Sequence, residues 1–239
     1  MFFPRRDFLK TLAWLFGASQ VSGCATSQTA ATGATTRGPS ASPPAPLASP
    51  RGVAAAPLTP GKFDLIVVGG GFSGTAAAIS AARNGVKVAL VHDRSMLGGN
   101  SSSEVRLYPE GNDAYQPWIR ESGIHEEVHL EDRVRNHVRY REGLTNCHWD
   151  LVLYEWCVRE PNLTLFLNTY MHEVRMASPK RIGAIRGVQL GTEKVFELTA
   201  PLFVDASGDG MLGYRAGADF RWGREGRDEY GEPLAPEKA

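Results

Sequence analysis

The chain has 239 residues, enough for one or two domains, and its 26 lysines and arginines balance 26 aspartates and glutamates. That balance leaves no basic excess for nucleic acid and no acidic tail for a cationic partner. The three cysteines, Cys24, Cys147 and Cys157, include no C-x-x-C pair, so neither a zinc site nor a cluster-binding run is readable and no metal is expected.

At the N-terminus Arg5 and Arg6 precede Phe8, Leu9 and Lys10, and the apolar stretch "TLAWLFGASQ" follows. This order resembles a twin-arginine export signal, with Pro4 where Ser or Thr is commoner. "VSGC" then resembles the lipobox at which bacterial lipoproteins are cleaved and acylated. Residues 1–23 are therefore expected to be a signal peptide and Cys24 a lipidated N-terminus on the periplasmic side of a bacterial membrane. The apolar stretch is shorter than the roughly 20 residues of a membrane span, so lipid rather than a helix would be the anchor. Residues 24–60 are mostly Ala, Ser, Thr, Pro and Gly. They bury too little apolar surface to offset the entropy of ordering, and are expected to be a disordered linker.

Order is expected from near Phe63, in a folded domain spanning 61–218. "FDLIVV" is a continuous apolar run of the kind buried on both faces of a parallel sheet. "SGTAAAISAARNG" has helical character with Gly85 as its C-terminal cap, and "KVALVH" is a second buried strand. The three make one β-α-β unit. "IRESGIHEEVHLEDRVRNHVR" reads as one or two charged surface helices. "WDLVLYEWCVREP" has apolar residues at helical spacing up to Pro161. "NLTLFLNTYMHEVRMA" reads as a strand entering a hairpin region. "RIGAIRGVQLGTEKVFELTA" alternates around Gly191 like antiparallel strands, and "PLFVDASGDG" reads as a further buried strand ending in a glycine-rich turn. The expected fold is α/β, Rossmann-like, with a parallel sheet flanked by helices and an antiparallel β excursion over about 170–200.

Gly69, Gly71 and Gly74 form G-x-G-x-x-G between the first strand and the helix, with Gly70, Phe72 and Ser73 between them. The first glycine permits a tight turn, the second admits a pyrophosphate to the backbone, and the third lets helix and strand pack closely. The helix N-terminus then offers free N–H groups and a positive dipole end to phosphate. An acid that binds ribose is expected about 20 residues on. That position holds His92, with Asp93 and then Arg94 beside it. A neutral imidazole can bond a ribose hydroxyl, and Asp93 can take the role if the strand end shifts by one residue.

With "LGGNSSSEVR", "WDLVLYEW", "NLTLFLNT", "APLFVDASGDG" and the tail "GREGRDEYGEPLAPE" added, the chain from about Phe63 onward resembles the FAD-dependent oxidoreductases of the two-dinucleotide-binding-domain type, in the group related to heterodisulfide reductase. The resemblance implies FAD as cofactor, its pyrophosphate on the first glycine turn. It implies that Gly98, Gly99, Asn100 and Ser101 line the ribityl chain and that Met171 offers backbone atoms to the adenine. Asp205, Ala206, Gly208, Asp209 and Gly210 would make a second turn, with Asp209 reaching the ribityl or pyrophosphate part. An NAD-binding dehydrogenase has no need of that second turn.

Relatives of this type run further, so residues 219–239 are expected to open a truncated region and the substrate domain to be missing. The function implied is oxidation or reduction of an unidentified small molecule. The alternative is a non-catalytic or truncated nucleotide-binding subunit that needs a partner chain to complete its site. His125, His129, His137, His148 and Glu104 are candidates for proton transfer and Arg106 for an anion clamp, but none sits in a diagnostic motif and no catalytic residue is assigned. Some relatives carry a 4Fe–4S cluster, for which Cys147 and Cys157 do not supply the cysteine run. Those two can be a disulfide or two separate thiols. A twin-arginine route fits FAD, since it exports folded, cofactor-loaded proteins.

Overall fold

A computed structural model describes residues 57–109, 122–135, 145, 148–221 and 223–238. The expected signal peptide, Cys24, most of the linker, His137 and Cys147 lie outside the described residues.

A parallel sheet forms the centre of the unit that ends at Trp222. Its strands are β2 (Leu65–Val68), β3 (Val88–Val91), β4 (Leu163–Phe166) and β8 (Leu202–Asp205), in the spatial order β4-β3-β2-β8. Side chains alternate across such a sheet. Val67, Val88 and Leu90 point into one cluster, and Ile66, Val68, Ala89 and Val91 into another. Both clusters are buried, which is why these strands read as unbroken apolar runs.

Helices α1 (Phe72–Arg83), α2 (Ile124–Arg135) and α3 (Trp149–Arg159) cover the first face. Ala78, Ile79, Val128, Trp149, Val152, Leu153 and Cys157 pack there. α1 ends as expected, with Gly85 at φ +84° and its N–H donating to the Ala82 carbonyl. α2 is only in part the surface helix expected: Val128, His129 and Asp132 are buried against its neighbours.

The other face is covered by a second sheet of order β1-β7-β6-β5. It consists of β1 (Leu58–Lys62), β5 (Thr169–Ser178), β6 (Arg181–Gln189) and β7 (Val195–Thr199). The β5/β6 and β6/β7 pairs are antiparallel, so the expected excursion folds back as a layer over the parallel sheet. Met171, Ile185 and Leu198 close the cluster between the two sheets.

Two expectations are corrected. Residues 58–60 are not linker, because Leu58–Lys62 pairs in parallel with Val195–Thr199. Pro60 is tolerated there because β1 is an edge strand. β8 is not a buried strand but the edge of the parallel sheet, half-buried, with Leu202 65% exposed.

Helix α4 (Met211–Arg215) follows β8. Residues from Gly223 on group as a unit of their own with a short helix α5 (Arg227–Tyr230). Within it the Arg227 N–H donates to the Pro236 carbonyl at 2.7 Å.

Candidate functional site: three turns at the ends of the parallel strands

The carboxyl ends of β2, β3 and β8 converge, and each runs into a glycine turn. In open α/β sheets this is where ligands bind. The Gly69 N–H donates to the Val91 carbonyl and the Ala206 N–H to the Val68 carbonyl, both at 2.8 Å. The first turn is thereby pinned between the other two. The Gly98 N–H donates to the Gly70 carbonyl at 2.8 Å, and Gly71 and Gly98 form an isolated parallel bridge.

Two of the three motif glycines stand where a side chain has no room. Gly69 has φ +106°, and a Cβ there would lie 2.1 Å from the Ala206 carbonyl oxygen. A Cβ on Gly74 would lie 2.0 Å from the Gly69 oxygen and 2.9 Å from the Ala206 Cβ, so helix and both turns meet at that point. Gly71 differs: among the described residues, nothing beyond its own chain neighbours lies within 4 Å of where its Cβ would be. It is the N-cap of α1, no side chain caps the helix, and the first turn holds no acid. Unclaimed helix N–H groups facing a gap left open by glycine fit a pyrophosphate.

Around the gap stand Phe72, Ser73, Gly99 and Asn100. Phe72 is half-buried and stacks on Trp149 with ring centroids 5.7 Å apart, whereas Ser73 and Asn100 are exposed. Ser101 is buried and committed within the chain. Its hydroxyl donates to the Gly98 carbonyl at 2.9 Å and accepts from the Trp149 indole N–H at 3.0 Å. Its carbonyl accepts from the Thr145 hydroxyl at 2.9 Å. The Ser101 side chain therefore shapes the loop, and any lining role falls to its backbone. Thr145 and Trp149 are supports that no sequence spacing signals.

The role expected of His92 is corrected. Its ring is buried, Nδ1 lies 3.0 Å from the Gly70 N–H and Nε2 3.0 Å from the Met96 carbonyl, leaving neither nitrogen for a ribose. Asp93 is half-exposed and sits at the same strand end, its Oδ1 3.4 Å from His92 Nδ1. Arg94 is exposed and faces Glu104 at 3.4 Å. The His92 carbonyl accepts from the Thr169 N–H and the Arg94 carbonyl from the Asn168 N–H. Those bonds bring the start of β5, and Met171 within it, to the end of β3. Met171 is itself buried between the sheets, on a strand with one unpaired edge.

In the third turn, burial would raise the Asp205 carboxyl. The N–H groups of Gly213, Ser207 and Leu212 and the Ser207 hydroxyl outweigh it and hold the carboxyl below its ordinary range. Asp205 thus ties the strand end to α4. Gly208, Asp209 and Gly210 are exposed, and the space beside both glycines is open.

Of the proton-transfer candidates, the structure brings together only His125 and His129 among the described residues. Tyr108, His129 and His125 form a chain: Tyr108 Oη lies 2.8 Å from His129 Nδ1, and the facing Nε2 atoms of the two histidines are 3.2 Å apart. His125 also packs edge-on against Phe72. Arg106 is no free anion clamp, since its Nε and Nη2 both donate to the Thr145 carbonyl. His148 is the N-cap of α3 and is exposed. Cys157 is a free thiol, pushed up to about 12 by burial and by Glu160, and is inert at neutral pH. Among the described residues no group of His, Cys, Asp and Glu is placed to hold a metal.

Over 50 residues, 21% of this chain, the sequence is 42% identical to a glycerol-3-phosphate dehydrogenase of Mycobacterium leprae, but the match covers only 8% of that protein. Among solved structures, Thermovibrio ammonificans THI4 is similar at 21% identity with a TM-score of 0.46, over 66% of this chain and 64% of that one. Adenylylsulfate reductase of Archaeoglobus fulgidus is similar at 17% identity with a TM-score of 0.44, over 63% and 31%. These likenesses cover only part of each relative. The pattern of the FAD dependent oxidoreductase family, by contrast, matches residues 64–238, a span that takes in all three turns. The chain belongs to the FAD dependent oxidoreductase family.

Proposed function

We propose that the chain binds FAD in the three-turn cradle and serves oxidation or reduction of a small organic molecule. The observation that carries this reading is the gap at Gly71, where uncapped helix N–H groups face space left open among the described residues. Bound FAD supplies the redox chemistry. The protein contributes α1 N–H groups to the pyrophosphate, Asp93 to the ribose, and the loops Gly98–Asn100 and Gly208–Gly210 to the ribityl part. Residues 219–239 would open a further region beyond the cofactor domain. A second reading, in which a partner chain completes the reacting part of the site, is favoured by the commitments of His92, Ser101 and Arg106 to internal bonds. The test is an absorbance spectrum of the purified chain from about 300 to 550 nm, with the released flavin identified by chromatography. Flavin bands and FAD on denaturation support the reading, and a folded protein that stays colourless with added FAD overturns it.

We propose further that the chain is an exported lipoprotein on the periplasmic side of a bacterial membrane, with residues 1–23 as a twin-arginine signal and Cys24 as the acylated residue. The arginine pair, apolar stretch and lipobox, in that order, support this. Replacing Arg5 and Arg6 by Lys is expected to stop export, and Cys24→Ser to stop lipid modification. Unchanged periplasmic yield from the first, or unchanged membrane attachment of the second, would reject the respective assignment.

A further inference from the structure

We infer that His92 is a positioning residue of the cofactor turn: its neutral ring, protonated on Nε2, clamps the Gly70 N–H and the Met96 carbonyl and so sets the spacing between the first and second glycine turns. This rests on the reading of those turns as the FAD cradle.

The tautomer follows from the partners. A backbone N–H can only donate, so the Nδ1 that lies 3.0 Å from Gly70 N must be bare. A carbonyl can only accept, so the Nε2 that lies 3.0 Å from the Met96 oxygen must carry the proton. The backbone is built around the ring. A Cβ on Gly70 would lie 2.6 Å from His92 Cγ and 2.7 Å from Leu97 Cδ2, so only glycine lets the imidazole reach that N–H. The Gly70 carbonyl is held on the opposite side by the Gly98 N–H at 2.8 Å and the Thr75 hydroxyl at 3.2 Å. The N–H and the carbonyl of Gly70, on the two peptide groups that flank its Cα, thus join the end of β3, the first turn, the second turn and α1. Its neighbour Gly71 lines the open gap.

Protonation cannot keep this arrangement. A proton on Nδ1 would face another donor, and an acceptor within reach is Asp93 Oδ1 at 3.4 Å. In acid the ring would turn its proton to Asp93, the Gly70 N–H would lose its acceptor, and Asp93 would be drawn from the ribose. Burial holds the ring below the ordinary histidine range. Asp93, the Met96 carbonyl and Glu104 act against burial, and Arg94 acts with it. The strands on either side present no charge to it: Phe166 and Thr169 are neutral, and residues 69–75 carry none. The neutral clamp is therefore present above the ordinary histidine value and is lost as pH falls through the lower value of the folded protein. FAD affinity follows the same direction.

The experiment measures FAD affinity of the full chain by flavin fluorescence between about pH 8 and 5, above the ordinary carboxylate range. It compares the wild type with His92→Gln and His92→Leu, and records ring ¹⁵N shifts of His92 in FAD-free protein. Glutamine offers an acceptor and a donor on one amide and does not titrate in this window. We expect wild-type affinity to be flat at high pH and then to fall about tenfold per pH unit below the titration of His92. His92→Gln should bind as the wild type does at pH 8 and stay flat. His92→Leu should bind about tenfold or more weakly throughout, since it removes both bonds of the ring. Ring shifts should report a bare Nδ1 at pH 8. Identical affinity curves for wild type and His92→Gln across the pH range where the ring shifts show His92 titrating, or full affinity in His92→Leu, would overturn the proposal, as would a protonated Nδ1 at pH 8. Absence of FAD binding by the wild type at every pH would instead overturn the cofactor reading, and the ring shifts would separate that failure from failure of the clamp.

Discussion

Gly71 and Gly74 stand three residues apart in one motif and respond to opposite physics. An aspartate Cβ at Gly71 meets no atom of the described residues, its φ of −60° suits any residue, and the N-cap of a helix favours Asp. Gly71→Asp should therefore leave the FAD-free fold within about 0.5 kcal/mol of the wild type. Its carboxylate would occupy the helix N–H groups and repel the pyrophosphate, so FAD should be lost. Gly74→Ala should do the reverse. Its Cβ would press on the Gly69 carbonyl and Ala206, and backbone cannot swing aside as a flexible side chain does. That overpacking should cost about 1–3 kcal/mol, read as a lower denaturant midpoint. Equal destabilisation by the two changes, or normal flavin content in Gly71→Asp, would contradict the division of labour between the two glycines.

At the scale of elements, the turn after β8 holds its form through one carboxylate. Asp205 accepts from the Ser207 N–H and hydroxyl and from the Gly213 N–H, the last at 2.8 Å. Asp205→Asn puts an amide donor where donors already converge, and should cost about 1 kcal/mol near neutral pH. The carboxyl is held below its ordinary value of 3.8, so its contribution is complete above that value and is lost as pH falls through the lower folded value. The stability gap between variant and wild type should therefore be constant from pH 7 to about 5 and close below about pH 4. A gap that persists undiminished in acid would rule out the charged form as the source. Elements differ in how far local sequence reveals them. The β-α-β unit is legible because Val67, Val88 and Leu90 alternate with Ile66, Ala89 and Val91, and both sets are buried. The glycine spacing is legible because Gly74 must clear the Gly69 carbonyl of its own turn, whereas Gly71 answers no steric need of the described residues and Gly69 answers the distant Ala206. β1 is not legible, since the pairing of Leu58–Lys62 with Val195–Thr199 spans more than 130 residues and leaves no local pattern. The half-exposed β8 escapes for a related reason: an edge strand is defined by the neighbour it lacks. His92 falls at a motif position, whereas its role depends on backbone groups of Gly70 and Met96, which residue type does not signal.

For the whole molecule, the three turns are held by elements that reach them from different directions. The parallel sheet supplies the strand ends, α1 supplies N–H groups, and the second sheet brings Thr169 against the His92 carbonyl. Trp149 of α3 reaches Ser101 in the second turn. Such a cradle exists only in the folded chain, so a ligand that fills it must stabilise the fold by mass action. At a hundred times its dissociation constant, FAD should add about 2.7 kcal/mol. For a domain of this size each kcal/mol raises the melting temperature by about 2–4 °C, giving a shift on the order of 5–11 °C. Gly71→Asp should melt where the FAD-free wild type melts and show no FAD-dependent shift, because its fold is intact and its anion site is blocked. Gly74→Ala should melt lower from the outset. A wild type whose melting temperature does not respond to saturating FAD would show that the three turns do not close on the cofactor in this chain, whatever their resemblance to a cradle.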